Sequence, residues 1–349
     1  MRSRKTIATP PGATIREQLE DRGMTQKEFA VRMDLSEKHI SRLINGEVRL
    51  TPDVALRLES VLGVPAEFWN NLESRFREKL ARVEEENAME ADQEMASHFP
   101  YSEMVSYGWI EETRKPTERV MHLRRFFQVA SLGALENLII PGIAYRRLEN
   151  SIKSNYALAA WAQRARIEAT NRETARINLA KLQESINTIR LMTVEDPEVF
   201  CPNLTSLLSS CGIALVFLPH MKGSFLHGAS FYDGRKIVLG LTVRGRDADK
   251  FWFSAFHEIG HILLGHIGLP EGTSKAEEDL ADRFAADTLI PPDLLNAFLK
   301  RNNISEASIL SFARAIEIAP GIVVGRLQKE GIIDFNQYNS LKTKYCLQP

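Results

Sequence analysis

The sequence predicts a predominantly helical α+β protein of more than one domain. Three observations carry that expectation. The chain has 349 residues and 44% hydrophobic side chains, room for two or three domains with filled cores. Helix-start signals follow one another through its first 60 residues, and after residue 200 short apolar runs precede a long apolar helix. The expected division is an all-α domain at 1–80, a helical linking or dimerising region at 81–200, and a domain at 201–349 with a small antiparallel sheet and a helical end.

Thr14 and Glu17 are spaced as a capping box, as are Thr25 and Glu28, which gives two helix starts. Residues 25–33 form the first helix of a pair, Asp34-Leu35 the tight turn, and Ser36 caps a second helix running to Ile44. Phe29, Ala30, Leu35, Ile40 and Leu43 supply the apolar core that fixes the angle between the two. Asn45-Gly46 ends the second helix, and Thr51-Pro52 starts another that continues through Val54, Ala55, Leu58 and Leu62.

This region resembles the Xre-type helix-turn-helix repressors, most closely their HigA-like antitoxin branch. The match runs over about residues 11–72 and is carried by Gly23-Met24-Thr25-Gln26, Ile40-Ser41-Arg42-Leu43-Ile44-Asn45-Gly46, Leu50-Thr51-Pro52 and Glu67-Phe68-Trp69-Asn70-Asn71-Leu72. Asp34 stands where such proteins commonly have Gly in the turn; Asp tolerates the left-handed conformation at modest cost. The resemblance implies a transcriptional regulator that binds a double-stranded DNA operator, by default as a homodimer on paired half-sites. With the second helix in the major groove, Glu37, Lys38 and Arg42 are the expected base readers, Arg42 by a bidentate contact to guanine. Gln26, His39, Ser41 and Asn45 are placed for phosphates and sugars. Residues 1–49 hold ten Lys or Arg against seven Asp or Glu, a mild positive footprint, so a small helical protein-interaction module is the competing reading.

The middle of the chain is uneven in charge. Residues 81–120 carry ten acidic against four basic side chains, and residues 121–190 eleven basic against five acidic, blocks that could pack on one another or across a dimer. Leu179, Leu182, Ile186 and Ile189 mark an amphipathic helix whose stripe is core or partner groove.

In the last third, residues 213–218 form a continuous apolar run suited to a buried strand, and residues 225–232 join 236–241 through Asp233-Gly234, a hairpin signal. The helix that follows is apolar almost all round, with Phe251, Trp252, Phe256, Ile259, Ile262 and Leu263, yet it contains His257-Glu258-Ile259-Gly260-His261. Residues four apart lie on nearly one face, about 6 Å apart along the axis, so the imidazoles of His257 and His261 can share a zinc ion. Glu258 is the expected catalytic base toward water at the open coordination position.

A third protein ligand must come from elsewhere. In the acidic helix at 275–287, closed by Ile290-Pro291-Pro292, the positions Glu278, Ala281, Asp282 and Ala285 share one stripe. Glu278 is taken as the ligand, with Asp282 one turn on as the acceptor that orients a ligand imidazole. Glu277, about 100° around from Glu278, and His266, about 140° from the face of His261, are the rivals. The small residues Ala281 and Ala285 allow close packing on the first helix.

These segments resemble the ImmA/IrrE-type zinc metallopeptidases over roughly residues 205–335. The resemblance rests on Phe253-Ser254-Ala255-Phe256-His257-Glu258-Ile259-Gly260-His261-Ile262-Leu263-Leu264-Gly265-His266 and on Glu278-Asp279-Leu280-Ala281-Asp282-Arg283-Phe284-Ala285. It implies a zincin-like domain, a zinc-dependent endopeptidase activity on a regulatory protein, zinc on His257, His261 and Glu278, Glu258 as base, and a sheet edge that could pair with an extended substrate. Two residues depart from the pattern: Phe256 where a small residue usually precedes the His, which could narrow the cleft, and Asp282 where Asn is usual. His227, Tyr232 and His220 are candidate oxyanion or positioning groups that would more ordinarily be structural.

Residues 311–327 echo the helix-turn-helix spacing of residues 29–43, but Glu317, Glu330 and Asp334 do not favour DNA, so this pair reads as structural. The net charge of −1 makes no global claim on nucleic acid, and Cys201, Cys211 and Cys346 form no CxxC pairing, as expected of reduced thiols. No apolar run reaches membrane-spanning length and residues 1–5 lack a signal-peptide core, so a cytoplasmic protein without a membrane partner is expected. Three functions follow: a DNA-binding regulator whose peptidase domain cuts a repressor or toxin, an antitoxin-like repressor whose metal domain is a sensor or scaffold, and a pure interaction protein.

Overall fold

In the computed structural model, which describes residues 1–3, 5–136, 152–222, 227–242, 247–268, 273–301 and 303–345, the first helix begins at the Pro10-Pro11 pair and not at Thr14. Helix α1 spans Gly12–Asp21 with Pro11 at its N-cap and no capping side chain. Proline supplies a pre-set φ and has no N–H to satisfy, so the helix is capped three residues ahead of the expected box. Helix α2 (Gln26–Met33) is capped by Thr25, whose hydroxyl accepts from the Glu28 N–H. The Glu28 carboxylate turns to Arg32 instead of the cap backbone, so only half of the second box forms. Asp34 takes the left-handed conformation at φ 52°, and Ser36 caps helix α3 (Glu37–Ile44) through the His39 N–H. Helix α4 (Pro52–Leu62) starts at a Thr51 cap and ends on Gly63.

Helices α1 to α4 and the start of α5 (Ala66–Ala96) close on one core. Phe29, Ala30, Ile40 and Leu43 are buried as expected, Leu35 partly so, with Ile15, Leu58 and Trp69 beside them. Each large apolar side chain taken out of water there is worth about 1.5–3 kcal/mol. Trp69 completes the core and donates its indole N–H to the Val64 carbonyl.

The chain divides into two units, Met1–Glu94 and Met95–Pro349, and residues 81–200 fall partly in each. In the second, helices α6 (Tyr101–Ser106), α7 (Pro116–Phe127), α8 (Ile152–Thr170), α9 (Leu179–Leu191) and α10 (Pro197–Ser210) lead into strands β1 (Ile213–Leu218), β2 (Gly228–Asp233) and β3 (Lys236–Thr242). Helices α11 (Ala248–Leu263), α12 (Lys275–Leu289), α13 (Pro292–Leu299), α14 (Glu306–Ala315) and α15 (Pro320–Lys329) follow. Leu182 and Ile189 of α9 are buried in the main core, with Leu179 and Ile186 packed against it.

The sheet is mixed, which corrects the antiparallel expectation. The order is β1-β3-β2, with β3 antiparallel to β2 through the expected hairpin and parallel to β1. Strand β3 takes the central place because both of its faces are covered, all of its residues but Lys236 being buried. On one face the Trp161 ring of α8 lies where a Cβ on Gly240 would be, only 2.5 Å away. On the other, Leu239 and Leu241 join the core of α11. Phe225, Pro270, Gly272 and Cys346 lie outside the described residues.

Helices α14 and α15 are bent by 114° from one another, and Glu317 at φ 56° mirrors Asp34. Ile322, Val323, Val324 and Leu327 of α15 are buried in the core, so this pair spends its second helix on packing. No single helix among the described residues is long and apolar enough to cross a membrane.

Candidate metal centre and nucleic-acid interface

Helix α11 is the central element of the second unit, buried along almost its whole length. Its apolar positions go to the core, and one polar face, His257 with His261 one turn on, meets helix α12. The small residues of α12 allow this meeting: Ala281 and Ala285 are fully buried, and a Cβ on Gly260 would come within 3.0 Å of the Phe284 ring. Glu278, in the first turn of α12, thereby reaches across. The Nε2 atoms of the two histidines are 3.0 Å apart, Glu278 Oε2 is 3.5 Å from His257 Nε2, and Glu278 Oε1 is 3.6 Å from His261 Nε2.

These separations suit a tetrahedral ion, whose donors at bond lengths of 2.0–2.1 Å lie roughly 3.3 Å from one another. Two imidazole nitrogens and a carboxylate are a donor set for a borderline cation such as zinc. Among the described residues these three form a group able to hold a metal, with their donor atoms all within 4.8 Å of one another.

The surroundings hold each donor in place. His257 Nδ1 is 2.8 Å from Asp282 Oδ1, which fixes the ring with Nε2 toward the other donors. Burial opposes a proton on His257, but the hydrogen bonds to Asp282 and Glu278, with the nearby charge of Glu258, push its pKa up to about 9. Asp282 is held below its ordinary range chiefly by that same hydrogen bond to His257. His266 faces the other imidazole, Nδ1 to Nδ1 at 3.2 Å, so it supports His261 from behind. Glu277 is spent on the α12 N-terminus, where with Ser274 it forms a capping box. Neither rival converges on the site.

Two partners were not foreseen. Thr273 donates to Glu278 Oε1 at 2.5 Å, and Ser230 of β2 donates to Glu258 Oε2 at 2.8 Å. Gly228 stands close to the same carboxylate: a Cβ there would lie 2.8 Å from Glu258 Cγ. Thr273 lies five residues before Glu278 and could have been read as a neighbour; Ser230 carries no local signal.

The site opens into a cleft of about 1050 Å³ in which Glu258, His257, His261 and Glu278 share a wall with His227 and Ser230. Of the three candidate positioning groups only His227 lines it. Tyr232 is 41% exposed and lies against Gly268, and the backbone carbonyl of His220 accepts from the Tyr107 hydroxyl. Phe256 does not narrow the cleft: it is fully buried in the core beside Trp252. A residue directly before His257 points about 100° away from it, here into the packed side of the helix.

In the first unit, Gln26, Glu37, Lys38, Ser41, Arg42 and Asn45 are exposed, while His39 is half-buried. Helix α3 has eight residues, and a helix with its side chains is about 10–12 Å across, which a DNA major groove about 12 Å wide admits. Arg42 approaches Glu47 only to 3.6 Å with both side chains about half exposed, a contact weak enough to be exchanged for another acceptor.

Residues 15–69 match the helix-turn-helix family HTH_3. The uncharacterized HTH-type transcriptional regulator YddM of Escherichia coli (strain K12) is 36% identical over 64 residues, which cover 18% of this chain and 68% of the relative. A crystal structure from Nostoc punctiforme PCC 73102, described as that of an antidote protein of a plasmid maintenance system, matches 27% of this chain and 97% of its own at 29% identity, with a TM-score of 0.22.

Proposed function

Through its N-terminal unit the chain belongs to the helix-turn-helix family, and we propose that it is a DNA-binding transcriptional regulator whose second unit is a zinc-dependent endopeptidase of the ImmA/IrrE kind, acting on a regulatory protein. The observation that carries the enzymatic half is the convergence of His257, His261 and Glu278 beside a buried Glu258, all on the wall of one cleft. A zinc ion held there supplies Lewis acidity toward a peptide carbonyl and makes water acidic enough to be deprotonated near neutral pH. Glu258, held by Ser230, accepts the proton from attacking water and returns it to the leaving amine. Asp282 keeps the ring of His257 aligned, and His227 borders the cleft where a substrate carbonyl could be steadied.

The DNA half follows the HigA-like resemblance. Glu37, Lys38 and Arg42 read bases from α3, and Gln26, Ser41, Asn45 and the half-buried His39 approach the backbone. A homodimer on two half-sites is the proposed bound form.

Incubation with candidate repressor and toxin proteins encoded nearby, read by mass spectrometry of the products, tests the enzymatic half. Glu258→Gln is expected to retain zinc and operator binding and to abolish cleavage. Cleavage by Glu258→Gln at the wild-type rate overturns the peptidase assignment. Zinc binding with no cleavage by the wild type leaves the regulator with a sensing or structural metal. Arg42→Ala is expected to weaken a selected operator by about 1–3 kcal/mol; an unchanged affinity points to an interaction module.

A further inference from the structure

The cleft runs well beyond the metal centre, along α11 to the last helix and the chain segment after it, and its lining carries six cations, Lys250, Arg283, Arg326, Lys329, Lys342 and Lys344, against three carboxylates outside the metal site and its Asp282, namely Asp247, Asp249 and Glu330. Three are neutralised in place. Lys250 pairs with Asp247 at 2.7 Å, Arg326 with Glu330, and Lys342 with Asp249 at 2.8 Å. The last is a buried pair that fastens the segment after α15 to the start of α11, and Gly325 admits it closely, since a Cβ there would lie 2.4 Å from Asp249 Oδ2. The wall is therefore built and fixed. Arg283, Lys329 and Lys344 remain, all exposed; Arg283 and Lys344 have no acidic partner among the described residues, while the charge of Lys329 acts on Asp282. The same lining includes the apolar residues Phe253, Leu289, Ile290 and Ile322.

We propose that this part of the cleft selects acidic residues in an extended polypeptide. The proposal rests on the peptidase reading for the kind of chain that enters, and it adds what that chain must carry. Arg283 of α12 lines this wall, so one carboxylate is received on the α12 side of the cleft. Lys344 pairs its backbone with Asp247, the N-cap residue of α11, ten residues before His257 and about 15 Å away. At about 3.3 Å per residue an extended chain covers that in four to five residues, which sets the second acidic position. Apolar side chains among the charged ones in a cleft of about 1050 Å³ suit a peptide.

Fluorescence anisotropy of labelled decapeptides tests this on the intact chain carrying Glu258→Gln, with and without zinc. One peptide carries Asp or Glu five positions apart, and a control has Asn or Gln in their place. The acidic peptide is expected to bind at least about tenfold more tightly, and increasingly so at lower salt. Lys329→Glu with Lys344→Glu is expected to remove the preference, and Lys329→Gln with Lys344→Gln to reduce it while preserving surface and fold. Equal binding of the two peptides, a preference untouched by both variants, or displacement of the acidic peptide by single-stranded DNA with higher affinity overturns the proposal. Acid-selective binding without cleavage by the wild type sinks the peptidase reading and keeps this one; cleavage indifferent to acidic residues does the reverse.

Discussion

At His257, burial and three carboxylates pull in opposite directions, and the carboxylates win, raising the pKa from 6.5 to about 9. In the metal-free fold the charged imidazole therefore contributes stability in full below the unfolded value of 6.5, and this is lost as pH rises through about 9. Zinc requires the neutral ring, so zinc binding near neutral pH is expected to expel about one proton from His257 and to tighten as pH rises toward 9. Calorimetry in buffers of differing ionisation enthalpy counts the protons; a count of zero contradicts the arrangement. Asp282→Ala, which frees the same ring, is expected to weaken zinc about 10–100-fold with the helix content unchanged, and equal affinity would show that Asp282 does not orient His257. The three donors and Asp282 were legible because helical periodicity put them on two facing stripes. Ser230 was not, being 28 residues from Glu258 and brought to it only by the sheet. The rivals Glu277 and His266 could be dismissed only with their other partners in view, the cap of α12 and the back of His261.

Among the elements, those set by short-range chemistry were the most readable. The turn at Asp34 and the caps at Thr25, Ser36 and Thr51 follow from residues within four positions of one another. The expected cap at Thr14 failed for a reason equally local, the helix start set by Pro11. Strand order was out of reach, since nothing in β1 tells whether β2 or β3 lies beside it. The contact between α11 and α12 depends on Gly260 against Phe284. Gly260→Val is expected to destabilise the second unit by about 1–3 kcal/mol through overpacking. Because Glu278 rides on α12, zinc affinity is expected to fall with it. Thermal unfolding and zinc titration of one sample test both; a drop in stability with unchanged zinc affinity would uncouple the helix spacing from the site.

On the scale of the whole molecule, two kinds of chemistry sit in separate units of one chain. The helix-turn-helix match accounts for residues 15–69, and the paired cations, carboxylates and histidines of the second unit lie far along the sequence from it. The central claim is that His257, His261 and Glu278 together hold one zinc ion. Anomalous diffraction at the zinc edge, from crystals of the intact chain grown with zinc, tests it most directly. The expected result is a single peak bonded to Nε2 of both histidines and to the Glu278 carboxylate, at about 2.0–2.2 Å from each. A peak held instead by His266 or Glu277, or none in the cleft at saturating zinc, would contradict the account.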